Sequence, residues 1–497
     1  MSRRVKIQIG LITAVAMFGT MSTLAIANTT HYLRPNGQGS SLKNWKVTGA
    51  PSVWEALDDP VTETETPTAT DYIYSESPQE SKVDFQTVTL TGVSVVKAQA
   101  WYYAANSQPF YVCAGTGCTL TKSSTSGWNM VPFTISTQAD LDEARIYFAA
   151  PSYLTPSRQV RAAFLKIETD GPHAYWGAWM DGDVYAATNP GLTDAPWDET
   201  TWNLFESHAQ RAASIVHFGQ PAPWQQEFSP TPLELTRKSG SIPLMDMGVG
   251  CKIGKVCKSG ETVEEEELNR ASLSEITEGK YDSYYEAWAK AVAKYGYPFF
   301  FRWAWEMNGW WFKWGRDAAK SPAEFRSAWK HLHDIAEAAG ATNITWVWCP
   351  NVNTPGSTPL TELYPGDAYV DWTCLDGYNE AANTFAMIFE SSYAELVGSI
   401  APSKPVMIGE TATVENFPVF AAEWIRLMFS TLPTKFPKIK ALLWFNWNIV
   451  EKGKEWEWPI EWSSARQKAF AETVTSPYFS ADEFGSLPPL QRIKPLP

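Results

Sequence analysis

The sequence predicts an α/β protein, a (β/α)8 TIM barrel preceded by an N-terminal all-β sandwich module. Near residue 171 the chain changes from short Thr-, Ser- and Val-rich runs to apolar strands separated by amphipathic helices. Eight such strands follow, the number that closes a parallel barrel. The chain has 497 residues. Since a barrel of this type takes roughly 250 residues, the remaining length fits a second, smaller domain.

Residues 1–27 are predicted to be a signal peptide. Arg3, Arg4 and Lys6 precede an apolar run, and Ala25-Ile26-Ala27 offers a small-x-small cleavage site. An uncleaved anchor helix is the alternative, because the run approaches the length that spans a bilayer. No other long apolar stretch occurs in the sequence. We therefore expect a secreted or periplasmic protein that has no stable membrane insertion after cleavage and is a monomer.

Residues 29–168 are predicted to form the β-sandwich module, with residues 58–70 as a Pro/Thr/Glu-rich loop. Apolar and polar residues alternate near 83–90, 98–103 and 160–167, which is typical of half-buried strands. The module also holds a group of aromatic residues, namely Tyr72, Tyr74, Trp101, Tyr102 and Tyr103. These side chains either form a platform that binds polysaccharide or fill the core of the sandwich.

Residues 171–497 are predicted to form the barrel, and its strands read as apolar runs. The predicted strands are Ala174–Met180, Ser214–Gly219, Ile242–Gly248, Pro298–Met307, Ile344–Asn351, Trp372–Asn379, Pro405–Thr411 and Ile439–Asn448. The clearest predicted helices are Asp282–Tyr295, Ala323–Ala339, Phe417–Leu432 and Ala465–Thr473. Ser321-Pro322-Ala323-Glu324 has the pattern of a capping box with proline at the first helical position, so it predicts a helix start.

Composition excludes some classes of function. A formal net charge of −14, with no cluster of Lys and Arg, argues against a nucleic-acid partner. The acidic run Glu264–Glu267 is interpreted as a solvated loop or helix face, because hard cations need converging ligands. No group with metal-ligand spacing and no glycine-rich phosphate loop is found, so neither a metal nor a cofactor is expected.

The six cysteines of a chain predicted to be exported permit disulfides. Cys113/Cys118 and Cys251/Cys257 each close a short loop, which leaves Cys349 and Cys374 to pair across neighbouring strands. The proposal follows from proximity alone, since six cysteines allow about fifteen connectivities.

Polar residues follow the apolar strands at the end where the barrel opens. Catalytic groups of such barrels lie at the C-terminal ends of the strands. The residues at those ends are Asp181, Glu306, Asn308, Asn351, Asp376, Tyr378, Asn379, Glu410, Asn446 and Asn448. This pattern predicts the position of an active site.

Two of these residues, Glu306 and Glu410, have the chemistry of a retaining glycosidase. Cleavage by double displacement requires one ionised carboxylate as nucleophile and one protonated carboxyl as acid/base, about 5–5.5 Å apart. The ends of the fourth and seventh strands face each other across a barrel mouth, which suits that separation. Burial can raise the pKa of one carboxyl, and a cation such as Arg302 can hold the other ionised. In the alternative interpretation, either glutamate only forms a structural pair with Arg302.

The stretch 301–315, FRWAWEMNGWWFKWG, resembles the strand-four signature of glycoside hydrolase family 26. Further similar stretches follow in order at 346–351, 376–379, 405–411 and 444–446. The resemblance covers roughly residues 171–475. It implies a retaining (β/α)8 hydrolase of a family best known for β-mannanases, with some mixed-linkage β-glucanases and β-1,3-xylanases.

The resemblance also implies roles for individual residues. Glu306 would be the acid/base and Glu410 the nucleophile. Tyr378 would donate a hydrogen bond to the nucleophile, and Trp444 would stack under the sugar at the cleavage point. Arg302, Trp311 and Trp314 would complete the substrate cleft.

Trp305 departs from the family pattern, in which histidine usually precedes the acid/base glutamate. An indole in place of an imidazole removes a hydrogen-bond acceptor and adds bulk beside the sugar being cleaved. β-1,4-mannan is the first expected substrate, with mixed-linkage β-glucan or another exopolysaccharide as alternatives. Trp305 could instead tilt into the barrel core.

Two further alternatives remain open. A barrel that binds glycan without cleaving it would also use tryptophans, although it would not require both glutamates. His217, on the second predicted strand, could reach a substrate hydroxyl or could be a satisfied structural residue.

Overall fold

The computed structural model describes residues 173–496 except 259, 416–419 and 452–453. Before residue 173 it describes eleven strands and residues 134–135 and 137–142. The predicted signal peptide and the loop at 58–70 lie outside the described residues. None of the helices in the described part of the chain is long and apolar enough to cross a membrane.

The strands of the N-terminal part pair into two antiparallel sheets. In chain order they are β1 (Thr29–Leu33), β2 (Val47–Thr48), β3 (Trp54–Leu57), β4 (Tyr72–Ser75), β5 (Ser81–Asp84), β6 (Val95–Ala104), β7 (Pro109–Ala114), β8 (Gly117–Lys122), β9 (Gly127–Phe133), β10 (Arg145–Phe148) and β11 (Val160–Thr169), with helix α1 (Gln138–Asp142) after β9. One sheet has the order β3-β4-β11-β6-β9 with β1 also on β11, and the other has the order β2-β5-β10-β7-β8.

Two of the predicted N-terminal strands lie within β6 and β11. The third overlaps the end of β5, and its residues 85–90 lie outside the described part. Cys113 and Cys118 are partners in the register of β7 and β8. How the two sheets pack on each other is likewise outside the described residues, so the sandwich stays a prediction.

Residues from 175 onward form the closed parallel barrel that the sequence predicts. Its strands are β12 (Tyr175–Met180), β13 (Ile215–Gly219), β14 (Ile242–Met247), β15 (Phe299–Trp303), β16 (Ile344–Trp348), β17 (Trp372–Asp376), β18 (Val406–Thr411) and β19 (Ile439–Asn446). Each strand pairs with the next, and β19 pairs with β12, so the sheet has no free edge. A short hairpin, β20 (Val450–Glu451) and β21 (Lys454–Glu455), follows β19.

Helices connect the barrel strands. They are α2 (Glu199–Ala209), α3 (Thr231–Lys238), α4 (Val263–Asn269), α5 (Leu273–Thr277), α6 (Asp282–Tyr295), α7 (Lys313–Lys320), α8 (Pro322–Ala338), α9 (Leu360–Leu363), α10 (Phe385–Glu395), α11 (Ala421–Lys435) and α12 (Ser464–Val474). At the predicted start of α8, the Ser321 side chain accepts from the Glu324 backbone N–H and proline occupies the first turn.

The acidic run is less solvated than the sequence indicates. It lies on α4, where Glu267 pairs with Lys313 at 2.6 Å and Glu266 pairs with Arg316. Glu266 also pairs with Arg270 one turn further on, at 3.1 Å. Glu264 and Glu265 are exposed, as the sequence predicts, whereas Glu266 and Glu267 form a charged contact between α4 and α7.

The last described residues close the N-terminal end of the barrel. Ile493 donates its backbone N–H to Thr345 Oγ1 and accepts from Trp372 Nε1, at 2.8 and 2.9 Å. The Tyr175 hydroxyl donates to the Lys494 carbonyl at 2.8 Å. With this end covered by Ile493 and Leu496, the opposite end carries the polar strand ends.

Candidate active site

The backbone leaves β15 through two residues in the left-handed region. Ala304 has φ +46° and Glu306 has φ +53°, a conformation that costs energy for residues with a Cβ. Two hydrogen bonds fix this path. Ala304 N–H donates to the Met247 carbonyl at 3.0 Å, and Glu306 N–H donates to the Cys349 carbonyl at 2.7 Å. Neighbouring strands on both sides thus hold the turn that directs Glu306.

The carboxyl of Glu306 is buried between two neutral donors. Asn351 Nδ2 donates to Oε1 at 2.7 Å, and Trp311 Nε1 donates to Oε2 at 2.6 Å. Burial, and secondarily the negative charge of Glu410, raises the pKa of Glu306 to about 7. A carboxyl with this pKa can donate a proton near neutral pH and take it back.

Glu410 has the opposite environment, because a cation contacts it directly. Its Oε1 accepts a hydrogen bond from Arg302 Nη2, and its Oε2 accepts one from the Tyr378 hydroxyl. Both bonds stabilise the carboxylate form of Glu410. The Tyr378 ring stacks on Trp458, with ring centroids 4.6 Å apart, which fixes the direction of its hydroxyl.

Arg302 lies beneath the site and is fully buried. It therefore does not line the substrate cleft, which is where it was expected from the sequence. Its guanidinium donates to Asp246, Asp376 and Glu410, which are carboxyl groups on three other strands. Although burial opposes the charge of Arg302, these carboxylates raise its pKa well above the ordinary value. Arg302 therefore acts on Glu410 from the barrel interior.

His217 belongs to the same buried group. Its Nε2 lies 2.8 Å from Asp246 Oδ2 and 3.2 Å from Arg302 Nη2. The side chain is 1% exposed, so it fits the structural interpretation of this histidine. His217, Asp246 and Glu410 could each offer one ligand atom to a metal ion, but Arg302 Nη2 contacts all three and takes that place.

Gly409 precedes Glu410 where the barrel interior leaves no room for a side chain. A Cβ at this position would lie 2.6 Å from Cys374 Sγ, 2.7 Å from Asp376 Oδ1 and 3.0 Å from Arg302 Nη1.

Cys374 is disulfide-bonded to Cys349, and Cys251 to Cys257, as the cysteine spacing predicts.

Three of the predicted tryptophans lie around Glu306. Trp311 donates to Glu306, as described above. Trp305 is half-buried at the barrel mouth, and Arg302 Cζ lies 5.4 Å from its ring. Trp314 is buried beside it, with ring centroids 5.2 Å apart, and donates its Nε1–H to the Trp305 carbonyl at 2.7 Å. Trp314 thus supports Trp305.

Trp444 lies outside this group. It was expected under the sugar at the cleavage point, and the structure places it elsewhere. Its ring is fully buried against Trp424 of α11 and Phe470 of α12, with centroids 6.4 and 5.4 Å apart. Side chains alternate along a strand, so Trp444 faces the helices. Its neighbour Phe445 contacts Tyr378 instead, at 5.8 Å between centroids.

Sequence reasoning missed the role of Asp246 in supporting Arg302. The available indication was a single carboxylate within the apolar strand Ile242–Met247, since a buried charge needs a partner. It also missed that Asn308 and Asn351 form a reciprocal pair, both bonds 2.8 Å long, that aligns Asn351 with Glu306.

Comparisons with known proteins show which proteins the chain resembles. The sequence model of glycosyl hydrolase family 26 matches residues 251–428. The chain is 31% identical over 212 residues to endoglucanase H of Acetivibrio thermocellus, covering 40% of this chain and 23% of that protein. It is 28% identical over 213 residues to a mannan endo-1,4-beta-mannosidase of Bacillus subtilis, covering 42% of this chain and 49% of that protein.

A solved family 26 β-mannanase from Bacteroides ovatus is 16% identical, covers 65% of this chain and 93% of its own, and has a TM-score of 0.45. The alignments cover 23% and 49% of the two curated relatives named above, so this chain spans less than half the length of each. The matched region, residues 251–428, is similar to glycosyl hydrolase family 26 and contains both Glu306 and Glu410.

Proposed function

We propose that this protein is an exported, endo-acting retaining β-glycoside hydrolase, with Glu306 as acid/base and Glu410 as nucleophile. The observation that carries the proposal is the contrast between the two carboxyl groups. Glu306 is buried among neutral donors with its pKa raised to about 7, whereas Glu410 is bonded to Arg302 and Tyr378. Double displacement requires this division into one proton donor and one anion.

The first step forms a bond between Glu410 and the anomeric carbon while the glycosidic bond breaks. Glu306 gives its proton to the leaving oxygen, so the released sugar ends in a hydroxyl group. Esterified Glu410 carries no charge, and this removes one of the causes that raise the pKa of Glu306. Glu306 then takes a proton from water, whose oxygen attacks the anomeric carbon and frees Glu410.

The proposed substrate is a β-linked polysaccharide, with β-1,4-mannan first. The mannan endo-1,4-beta-mannosidase relative of Bacillus subtilis supports mannan. Mixed-linkage β-glucan is the second candidate, favoured by the indole of Trp305 at the position where the family usually has histidine. The endoglucanase H relative supports it as well.

Export to the periplasm or medium is part of the proposal. The disulfides Cys251–Cys257 and Cys349–Cys374 support it, because disulfides persist in oxidising compartments. The predicted signal peptide agrees with that location.

Reducing-sugar release from β-mannan, mixed-linkage β-glucan, β-1,3-xylan and β-1,4-xylan tests the proposal. We expect one polymer to be cleaved by the wild type and by the control Glu423→Ala, which changes an exposed glutamate on α11. Glu306→Ala and Glu410→Ala should each remove the activity. NMR recorded during hydrolysis should show that the anomer released first has the β configuration of the substrate. Folded wild-type protein that binds oligosaccharides but cleaves none of the four polymers would favour a glycan-binding protein instead.

A further inference from the structure

The three carboxyl groups around Arg302 differ in how many hydrogen-bond donors they face. Asp246 accepts from Arg302 Nε at 2.7 Å and from Nη2, and it also faces His217 Nε2. Glu410 accepts from Arg302 and Tyr378. Among the described residues, only Arg302 Nη1 donates to Asp376, at 2.8 and 3.0 Å from its two oxygens.

The other side of Asp376 faces sulfur. Its Oδ1 lies 3.2 Å from Cys349 Sγ and 4.0 Å from Cys374 Sγ. These two sulfurs are joined in a disulfide, so neither carries a hydrogen to donate. A sulfur without hydrogen is at most a weak acceptor. It therefore cannot donate a hydrogen bond to a carboxylate oxygen, although it can accept a weak one from the O–H of a carboxylic acid.

The charge balance of the group requires a proton. One guanidinium faces three carboxyls, and each of them is at most 7% exposed. If all three were ionised, at least one negative charge would be buried without compensation, even if His217 carried a positive charge, and such burial is costly. Asp376 is the most buried of the three, at 0%, and has the fewest donors.

We propose that Asp376 is a neutral carboxylic acid in the folded protein, kept neutral by the Cys349–Cys374 disulfide, and that it is a positioning residue for Glu410. While Asp376 is neutral, the charge of Arg302 is directed to Asp246 and Glu410. An ionised Asp376 would compete with Glu410 for Arg302.

The charges around Asp376 agree with this assignment. Burial raises the pKa of Asp376 well above its ordinary value, and Arg302 opposes the shift. Three carboxyl groups add to it in their ionised forms, namely Glu410, Glu306 and Asp246. The groups that face Asp376 are Arg302 and Glu306 from β15 and its end, Asp246 from β14, Glu410 from β18, Tyr378 after β17, and the disulfide between Cys349 and Cys374.

Infrared spectroscopy tests the protonation state directly, without any substrate. Protein with 13C-labelled aspartate carboxyls is compared with the same protein carrying Asp376→Asn. Near neutral pH, the wild-type-minus-variant difference should contain the C=O band of a protonated acid. A difference made only of carboxylate bands would overturn the proposal.

The expected catalytic consequence rests on the proposed function. The pH profile of kcat/KM measures it. In Cys349→Ser/Cys374→Ser, two hydroxyl donors replace the disulfide and favour an ionised Asp376. Its added negative charge should make Glu306 harder to ionise, which moves the alkaline limb of the kcat/KM profile up by about one pH unit. Adding Asp376→Asn to this variant should move that limb back.

The matched control is Cys251→Ser/Cys257→Ser, which removes the other disulfide and should leave the alkaline limb in place. An alkaline limb that stays in place in Cys349→Ser/Cys374→Ser would contradict a role for that disulfide, as would a shift that Asp376→Asn does not reverse. If none of the polysaccharides is cleaved, the proposed function fails, while the infrared result still decides the state of Asp376.

Discussion

Trp311 donates its indole N–H to Glu306 across 2.6 Å, so the loop that follows β15 is bonded to the carboxyl that the strand presents. This bond favours the ionised form of Glu306 and opposes the rise in its pKa. A residue expected only to line the cleft therefore also adjusts the proton affinity of the proposed acid/base.

The pKa of about 7 for Glu306 sets the expected pH dependence of activity. The acid must be protonated in the free enzyme, so kcat/KM should fall as the pH rises through about 7. Initial rates at low substrate concentration between about pH 4 and 9 measure this limb. A profile that stays flat up to about pH 9 would exclude Glu306 as the acid.

Trp311→Phe should shift that limb to higher pH, by about half a unit to one unit, because the lost bond stabilised the carboxylate. Trp310→Phe is the matched variant, since Trp310 is 73% exposed on the same loop. Its limb should coincide with that of the wild type. A downward shift in Trp311→Phe would mean that the indole favours the protonated form.

Tyr378→Phe should lower kcat by about ten- to a hundredfold, the value of one hydrogen bond to a charged group. KM should change little, because the ring keeps its stacking contact with Trp458. Steady-state kinetics on the cleaved polymer separate the two parameters. A rise in KM at constant kcat would assign Tyr378 to substrate binding alone.

Trp305→His should change the ratio of mannan to glucan cleavage, since it places an imidazole next to the proposed acid/base. We expect the ratio of the two kcat/KM values to change by about tenfold or more, which is the scale of one hydrogen bond to a substrate hydroxyl. Both polymers are assayed with the same enzyme preparation. An unchanged ratio would move the determinant of specificity elsewhere in the cleft.

Trp444→Ala should lower the free energy of unfolding by about 3–5 kcal/mol, because it empties a fully buried site between α11 and α12. Trp447→Ala, just beyond the end of β19 and 37% exposed, should cost far less stability. Denaturant unfolding measures both variants. Equal losses would argue against the core position of Trp444.

The sequence predicted the barrel and its two glutamates because apolar strands can be recognised from local composition. All eight predicted strands overlap observed ones, and the observed strands end earlier at Trp303, Trp348 and Asp376. The ends of strands are set by hydrogen bonding to neighbours, which local composition does not record.

Side-chain direction was harder to predict. Trp444 and Phe445 are both large and apolar, so no polar neighbour sets which of them faces the helices.

The group around Arg302 was missed for a different reason. Asp246, Asp376 and Glu410 are far apart in the chain, and only the order of strands in the closed sheet brings them to one guanidinium.

The closed sheet also affects how the protein folds. Tyr175 of β12 is the sheet partner of Ala441 of β19, so the first and last strands of the barrel meet only after nearly the whole domain has been synthesised. Pairing of such distant segments raises the contact order and slows folding. In the proposed export, slow folding would keep the chain unfolded for longer, so that translocation could precede barrel closure. The group formed by Arg302, His217, Asp246, Asp376 and Glu410 draws on five of the eight strands, and Cys349 directly follows a sixth. This site would then assemble in the compartment where the Cys349–Cys374 disulfide can also form.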